Sequence, residues 1–216
     1  MKMPRCVLIL LALCESMGVQ GHAQEWKVAK TGDGIEVSTR VAPGWGMKEF
    51  RAITRVHARL SSIVALLEDV EAYPKWFADC KETSVLKSAG PLERWVYFVN
   101  SAPFPLRDRD MISHMTFSQD LATGAVTVVV RGDPDVAPNK PGRIRVPRLE
   151  GFWRFIPLKE GEVEVQYQIR SDPGGSIPTW LANSTVADAP WKTFAALRRM
   201  VAAAKYQTAR SEWVKE

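Results

Sequence analysis

The stretch 172–204 constrains this chain more than any other. It opens on Asp172-Pro173-Gly174-Gly175-Ser176, a turn cluster that ends whatever strand precedes it. Ser176 can cap a helix, and Pro178 falls in that helix's first turn, where a missing N–H costs nothing. Apolar side chains then recur at helical spacing: Ile177, Trp180, Leu181, Ala187, Trp191, Phe194, Leu197 and Val201. Both ends of this stripe are bulky, while its middle, 184–187, is small. Either a bulky side chain from another element fills that waist or a ligand does, because interiors are close-packed. Pro190 lies inside the pattern and is expected to bend the helix or interrupt its ladder. A bent helix with a hollow centre can close over a cavity.

The rest of the chain supplies a sheet for this helix to lie on. Gly32-Asp33-Gly34 is a turn, and Ile35, Val37 and Thr39 alternate after it. Residues 47–57 read as a second strand, with Phe50, Ala52, Thr54 and Val56 on one face and Arg51, Arg55 and His57 on the other. Ser61 or Ser62 starts a helix striped by Ile63, Leu66, Leu67 and Val70, and a short helical piece begins at Tyr73. Candidate strands follow at 82–87, 93–100, 111–119, 125–131, 143–156 and 163–170. Pro147 marks an edge or a bulge in the fifth of these. The alternation is cleanest at Val163, Val165, Tyr167 and Ile169, as in an antiparallel strand with one wet face. The long 131–141 loop is a candidate moving part. Two strands, helices, six strands and one long helix make an α+β chain, a curved antiparallel sheet gripping a C-terminal helix. An apolar cleft between the two is a default ligand site.

The N-terminus reads as a targeting segment. Lys2 and Arg5 give a charged start, Cys6 to Leu13 an apolar run, and Gly21-His22-Ala23 a small-x-small site. The run is too short to span a bilayer. Cleavage after Ala23 and a periplasmic location are expected, the alternative being a lipid anchor on Cys14. The expected division is therefore a signal peptide at 1–23, a ligand-binding domain at 24–206 and a polar, fraying tail at 207–216. Of three cysteines, Cys80 alone survives cleavage, which excludes an intramolecular disulfide and a Cys-rich metal site. The formal net charge of +5 is mild, and an exported chain without a dense basic stripe has no expected nucleic-acid partner.

Few residues suggest catalysis. Arg107-Asp108-Arg109-Asp110 reads as local charge pairing at the start of a strand. His57 falls on a solvated strand face, and His114 stands alone as a structural histidine. No Ser-His-acid spacing, metal-ligand pair or phosphate-cradling glycine loop is present. Trp45, between two glycines at a loop tip, either folds back onto the body or contacts a membrane; membrane contact is the role assigned to it.

Several short motifs resemble the START family, the lipid-transfer domains related to the steroidogenic acute regulatory protein. They are Asp33-Gly34-Ile35 with Val37 and Arg40, then Lys48-Glu49-Phe50-Arg51, and Asp69-Val70 followed by Tyr73-Pro74-Lys75-Trp76. Pro103-Phe104-Pro105 with Arg109-Asp110, Trp153 with Pro157, and Asp172-Pro173-Gly174-Gly175 with Ile177-Pro178-Trp180-Leu181-Asn183 complete the set. The resemblance runs from Gln24 to Ala204. It implies a helix-grip fold around a tunnel for one apolar molecule, with no cofactor and no chemistry. Some relatives carry an acidic residue and an arginine inside the tunnel, where this chain has Val96 and Met115, which implies a more apolar interior.

Under that resemblance, the expected lining is Val96, Phe98, Met111, Met115, Trp153, Phe155, Val165 and Tyr167 from the sheet, with Trp180, Ser184, Ala187 and Trp191 from the helix. The expected function is a monomeric carrier that binds a lipid or sterol-like molecule and touches membranes transiently. The rivals are an enzyme on the same grip fold, like the aromatase/cyclases, and a lipid-sensing interaction protein.

Overall fold

The period-2 alternation becomes a single large sheet in the computed structural model of the protein, which describes residues 25–42, 44–45, 47–177, 180, 183 and 186–216. The expected signal peptide and Ser184 lie outside the described residues. The strands are β1 (Lys27–Gly32), β2 (Ile35–Val41), β3 (Lys48–His57), β4 (Cys80–Ser88), β5 (Glu93–Asn100), β6 (Arg109–Gln119), β7 (Val126–Gly132), β8 (Ile144–Arg145), β9 (Arg148–Pro157) and β10 (Glu162–Asp172). They are ordered β1-β2-β3-β10-β9-β7-β6-β5-β4, with β8 off that path, beside β6. Every pairing is antiparallel except the two-residue, parallel contact of β8 with β6. The helices are α1 (Leu60–Glu68), α2 (Asp188–Val201) and the short α3 (Ala204–Gln207), with a 3-10 turn at Val70–Lys75. Among the described residues no helix is long and apolar enough to cross a membrane.

The inner face of the sheet carries the alternating residues read from the sequence. Val163, Val165 and Ile169 of β10 are buried, as are Trp153 and Phe155 of β9 and Val126, Val128 and Val130 of β7. Gly151 sits on that face between Leu149 and Trp153. A Cβ there would stand 2.0 Å from the Gln168 carbonyl oxygen, so only glycine lets β9 and β10 approach this closely. Helix α1 and the second half of α2 close one end of the trough. Leu60, Ile63, Leu66 and Leu67 are buried from α1, and Phe194, Leu197 and Val201 from α2.

Three expectations need correction. The candidate strand 143–156 is two strands, β8 and β9, because Pro147 has no N–H to give a ladder. The long C-terminal helix does not run evenly through its pattern. Trp180 and Asn183 are helical, Val186 and Ala187 form a turn, and α2 starts at Asp188. Pro190 thereby falls in the first turn of α2, where its missing N–H has no intrahelical partner to lose.

The third correction concerns the tail, which does not fray. The Glu216 carboxylate accepts the backbone N–H groups of Leu60 (3.0 Å) and Ser61 (3.3 Å) and the Ser61 hydroxyl. It thus caps α1, whose N-cap residue Arg59 makes no side-chain cap. Trp213 donates its indole N–H to Glu68 (3.0 Å) and meets the Phe117 ring edge-on at 5.9 Å. Gln119 and Lys215 exchange two hydrogen bonds, at 2.6 and 2.9 Å. The polar composition concealed two apolar anchors, Trp213 and Val214, which pack on the core.

If the tail is part of the fold, Glu216→Ala removes a helix cap and costs about 0.5–2 kcal/mol. Trp213→Ala costs more, because it removes a half-buried ring and one of the two donors to the Glu68 carboxylate, the other being Arg94 at 3.4 Å. Thermal melts of the two variants check this, and melting temperatures equal to the parent's would return the tail to a frayed state.

Candidate functional site

Past the ring of Phe194, the side chains that α2 turns toward the sheet become small. Ala189, Pro190 and Thr193 face β5, β6, β9 and β10 across a chamber of about 210 Å³. An apolar cavity of ~150 Å³ is enough to hold one benzene ring. The chamber continues into a wider cleft of about 710 Å³, and the two share Phe50, Asn100, Met111, Ile169, Ser171 and Ala189. The cleft is bounded by Met47 and Lys48, by the β5–β6 loop with Pro103 and Leu106, by Ile177, and by Val186, Asp188 and Lys192. Lys48 N–H donates to the Asn183 side chain at 2.9 Å, tying the β2–β3 loop to the helical segment across the opening.

Of the expected lining, Val96, Phe98, Met111, Met115, Trp153 and Tyr167 border the chamber. Phe155 and Val165 point inward but do not border it. They are 1% and 0% exposed, packed in the continuous core that α1 and α2 fill. The helix residues were placed on the wrong stripe. Trp180 is 71% exposed. Ala187 is the N-cap residue of α2, half-buried against the core and outside both linings. Trp191 lies over the β1–β2 turn, under the Lys30 ammonium at 5.2 Å, with its ring edge 3.3 Å from where a Gly32 Cβ would stand. The cause is the break before α2: a stripe counted through it loses register, and Asn183, Val186, Ala189 and Thr193 take the cavity face.

The indole of Trp45 is not free at its loop tip. The guanidinium groups of Arg148 and Arg170 cover it at 4.0 and 5.2 Å from the ring centroid, a stabilising arrangement that holds the loop against the sheet. The fold-back reading replaces the membrane contact assigned to it.

Other lining residues escaped the sequence reading. Phe77 meets Phe98, Trp153 and Tyr167 edge-on at 5.3, 5.7 and 6.2 Å. Tyr73 donates its hydroxyl to the Leu67 carbonyl at 2.5 Å, and Phe50 stands edge-on to Tyr167 at 5.1 Å. Their signal was present: Phe50 shares the inner face of β3 with Ala52, and Tyr73, Trp76 and Phe77 form an aromatic run before a strand-rich region.

Among the described residues the ionisable groups of the chamber are Tyr73 and Tyr167. Burial raises both phenols above their ordinary range, so both stay protonated. Burial also pushes the nearby Cys80 thiol up to about 11, which leaves little thiolate at neutral pH. Among the described residues no group of His, Cys, Asp and Glu could hold a metal ion. His114 lies on the outer face, stacked on Trp95 at 4.2 Å and 2.7 Å from Glu93.

The charged run at the start of β6 divides between the two faces. Asp110 is buried on the outside, where it accepts from Arg145 (3.1 Å) and Tyr97 (3.0 Å) and so binds the β8 segment to the sheet. Asp108 pairs with Lys81 at 2.7 Å. These two meet the expectation of local pairing. Arg109 does not: it borders the outer cleft, and among the described residues its side chain donates to the Arg107 carbonyl alone, at 2.6 Å.

The START domain family matches residues 13–210 of the chain. An uncharacterised protein of Pseudomonas aeruginosa is 41% identical over 183 residues, which is 84% of this chain and 90% of that protein. The crystal structure of a STAR-related lipid transfer protein from Xanthomonas axonopodis superposes with a TM-score of 0.76 at 38% identity, covering 82% of this chain and 99% of that one. The phosphatidylcholine transfer protein of Rattus norvegicus is 24% identical over 165 residues, 74% of this chain and 75% of its own.

If the chamber is open space, enlarging Ala189, which borders both cavities, fills it without strain. Ala189→Phe then leaves the melting temperature of delipidated protein close to the parent's while binding of an apolar fluorescent probe falls about tenfold or more. In a filled core the same change costs roughly 1–3 kcal/mol. A destabilised variant that still takes up the probe would contradict the chamber.

Proposed function

This chain belongs to the START domain family, and from that premise we propose that it binds one hydrophobic molecule between sheet and helix and carries it to or from a membrane. The observation that carries this reading is the continuity of the two cavities: an apolar chamber for a tail, opening into a cleft wide enough for a head. The chemistry suits a lipid. Each buried methylene contributes ~0.8 kcal/mol, so half of a long acyl chain supplies on the order of 6 kcal/mol gross.

Binding without turnover is the reading we adopt. The ionisable groups at the chamber are two phenols held protonated by burial, which is poor equipment for general acid–base work at neutral pH. Two relatives, a STAR-related lipid transfer protein and a phosphatidylcholine transfer protein, support a carrier. The proposal includes export to the periplasm with cleavage after Ala23, on the sequence pattern alone, and action as a monomer.

Membrane contact is assigned to the rim of the cleft. Phe104 is 96% exposed at the centre of a turn whose ends, Pro103 and Leu106, border the cleft. Trp180 is 71% exposed, between Ile177 and Asn183, which border it too. Aromatic side chains left in water beside an apolar opening favour the headgroup region of a bilayer.

Transfer of a fluorescent lipid between vesicles tests the function. The parent protein is expected to accelerate it at catalytic concentration. Phe104→Ala slows the transfer several-fold and leaves equilibrium uptake of the same lipid unchanged, since Phe104 borders neither cavity. No acceleration by the parent protein would remove the carrier role.

A further inference from the structure

The least explained side chain of the cavity system is Arg109. It is 7% exposed, and its Nε is buried without a partner among the described residues. No carboxylate among them pairs with it. The two nearest in sequence are occupied, Asp108 by Lys81 and the Ala102 N–H, and Asp110 by Arg145 and Tyr97. Directly across the β5–β6 ladder from Arg109 stands Asn100, whose side-chain oxygen is also buried without a partner among the described residues. Both border the outer cleft, and Asn100 borders the chamber as well. The pair therefore marks the neck between them.

Two further cations border the cleft, Lys48 and Lys192, and neither is in an ion pair among the described residues. The acids there are Asp79 and Asp188, and Asp188 is taken by Lys30 at 2.8 Å. A guanidinium this buried and without a carboxylate partner is costly, and fold-building charges are normally paired. It repays that cost only when an anion arrives.

The geometry points to Arg109 as the receptor for an acidic headgroup, a carboxylate or a phosphate, on an amphiphile whose apolar tail fills the chamber. This assignment rests on the proposed carrier function and narrows it. With Nη1 held by the Arg107 carbonyl, the Nε–Nη2 edge of the guanidinium is left for two parallel hydrogen bonds to one acidic group. The Asn100 carboxamide, beside it, accepts a hydroxyl of the same head. Sugar or choline heads without an accessible acid gain nothing at this neck. The chain thus selects by charge at the neck and by apolarity in the chamber.

Displacement of a bound fluorescent probe from the delipidated full chain tests this with four competitors: laurate, dodecyl phosphate, neutral monolaurin and inorganic phosphate. The parent is expected to bind laurate and dodecyl phosphate about tenfold or more tighter than monolaurin, the range of a charge-assisted hydrogen bond. Inorganic phosphate at the same concentrations displaces nothing. In Arg109→Gln the preference for acidic heads collapses to within about twofold, and Arg109→Lys keeps part of it, having charge without the fork. The melting temperature of delipidated Arg109→Gln equals or exceeds the parent's, because an unpaired buried charge has gone. An arginine that only holds the Arg107 loop would lower it. Monolaurin bound as tightly as the acidic amphiphiles by the parent overturns the assignment and leaves the carrier intact, as does a preference undiminished in Arg109→Gln. Inorganic phosphate competing as well as dodecyl phosphate overturns the head-and-tail assignment. Failure of every amphiphile to bind removes the carrier function and this assignment with it. Should Arg109→Gln fail to fold, the parent's ranking of heads decides.

Discussion

Trp153 is where the sheet, the last helix and the cavity meet. Its indole lies flat on Tyr167 of the neighbouring strand, 3.8 Å between centroids and 11° from parallel. The ring of Phe194 from α2 lies nearly parallel to it at 5.9 Å, and Trp76 and Phe77 abut its edges at 6.1 and 5.7 Å. Aromatic contacts of this kind bury large area and fix geometry. The column sets how far α2 stands from the sheet. On one side of it, Phe194 and Leu197 with the residues of α1 fill the space. On the other, α2 offers only Ala189, Pro190 and Thr193, so the same spacing leaves a chamber. The cavity follows from a helix with one bulky and one small end held at a single distance from a curved sheet.

The period of a strand explains how one short motif serves two ends. In Arg107-Asp108-Arg109-Asp110, neighbouring side chains on β6 must leave on opposite faces. Asp110 goes outward into a satisfied network with Arg145 and Tyr97, and Tyr97 in turn accepts from Arg143, which pairs with Glu82. That network anchors the loop before β9 and stabilises the fold. Arg109 goes inward and meets no such company. A structural and a ligand-facing role then sit one residue apart, and mutating the pair together would confuse them.

Much of the sheet was legible because alternation is local. Val163, Val165 and Ile169 on β10, and Phe50, Ala52 and Val56 on β3, declare their faces without help from distant residues; which inward residues border the chamber is not local, since Val165 and Phe155 pack in the core while Phe50 lines the cavity. The helix lining was not legible. Its register depends on where α2 begins, which Ala187 and Pro190 decide between them, so Trp180, Ala187 and Trp191 were assigned to a face they do not occupy. The tail was misjudged for a different reason. The value of Glu216 and Trp213 lies in partners at Ser61, Glu68 and Phe117, and no local pattern reports a contact across such a separation. Trp45 likewise looked free because the arginines that cover it, Arg148 and Arg170, come from strands far along the chain.

The carrier function requires that the space between β9, β10 and α2 be a ligand site and not a packing defect. Native mass spectrometry of the intact protein, isolated gently from the cell that makes it, measures this most directly. The expected result is a non-covalent adduct of one hydrophobic molecule per chain, released by organic solvent and absent from a variant whose chamber is filled. Protein that carries no adduct as isolated, and takes none up when offered vesicles, would contradict it.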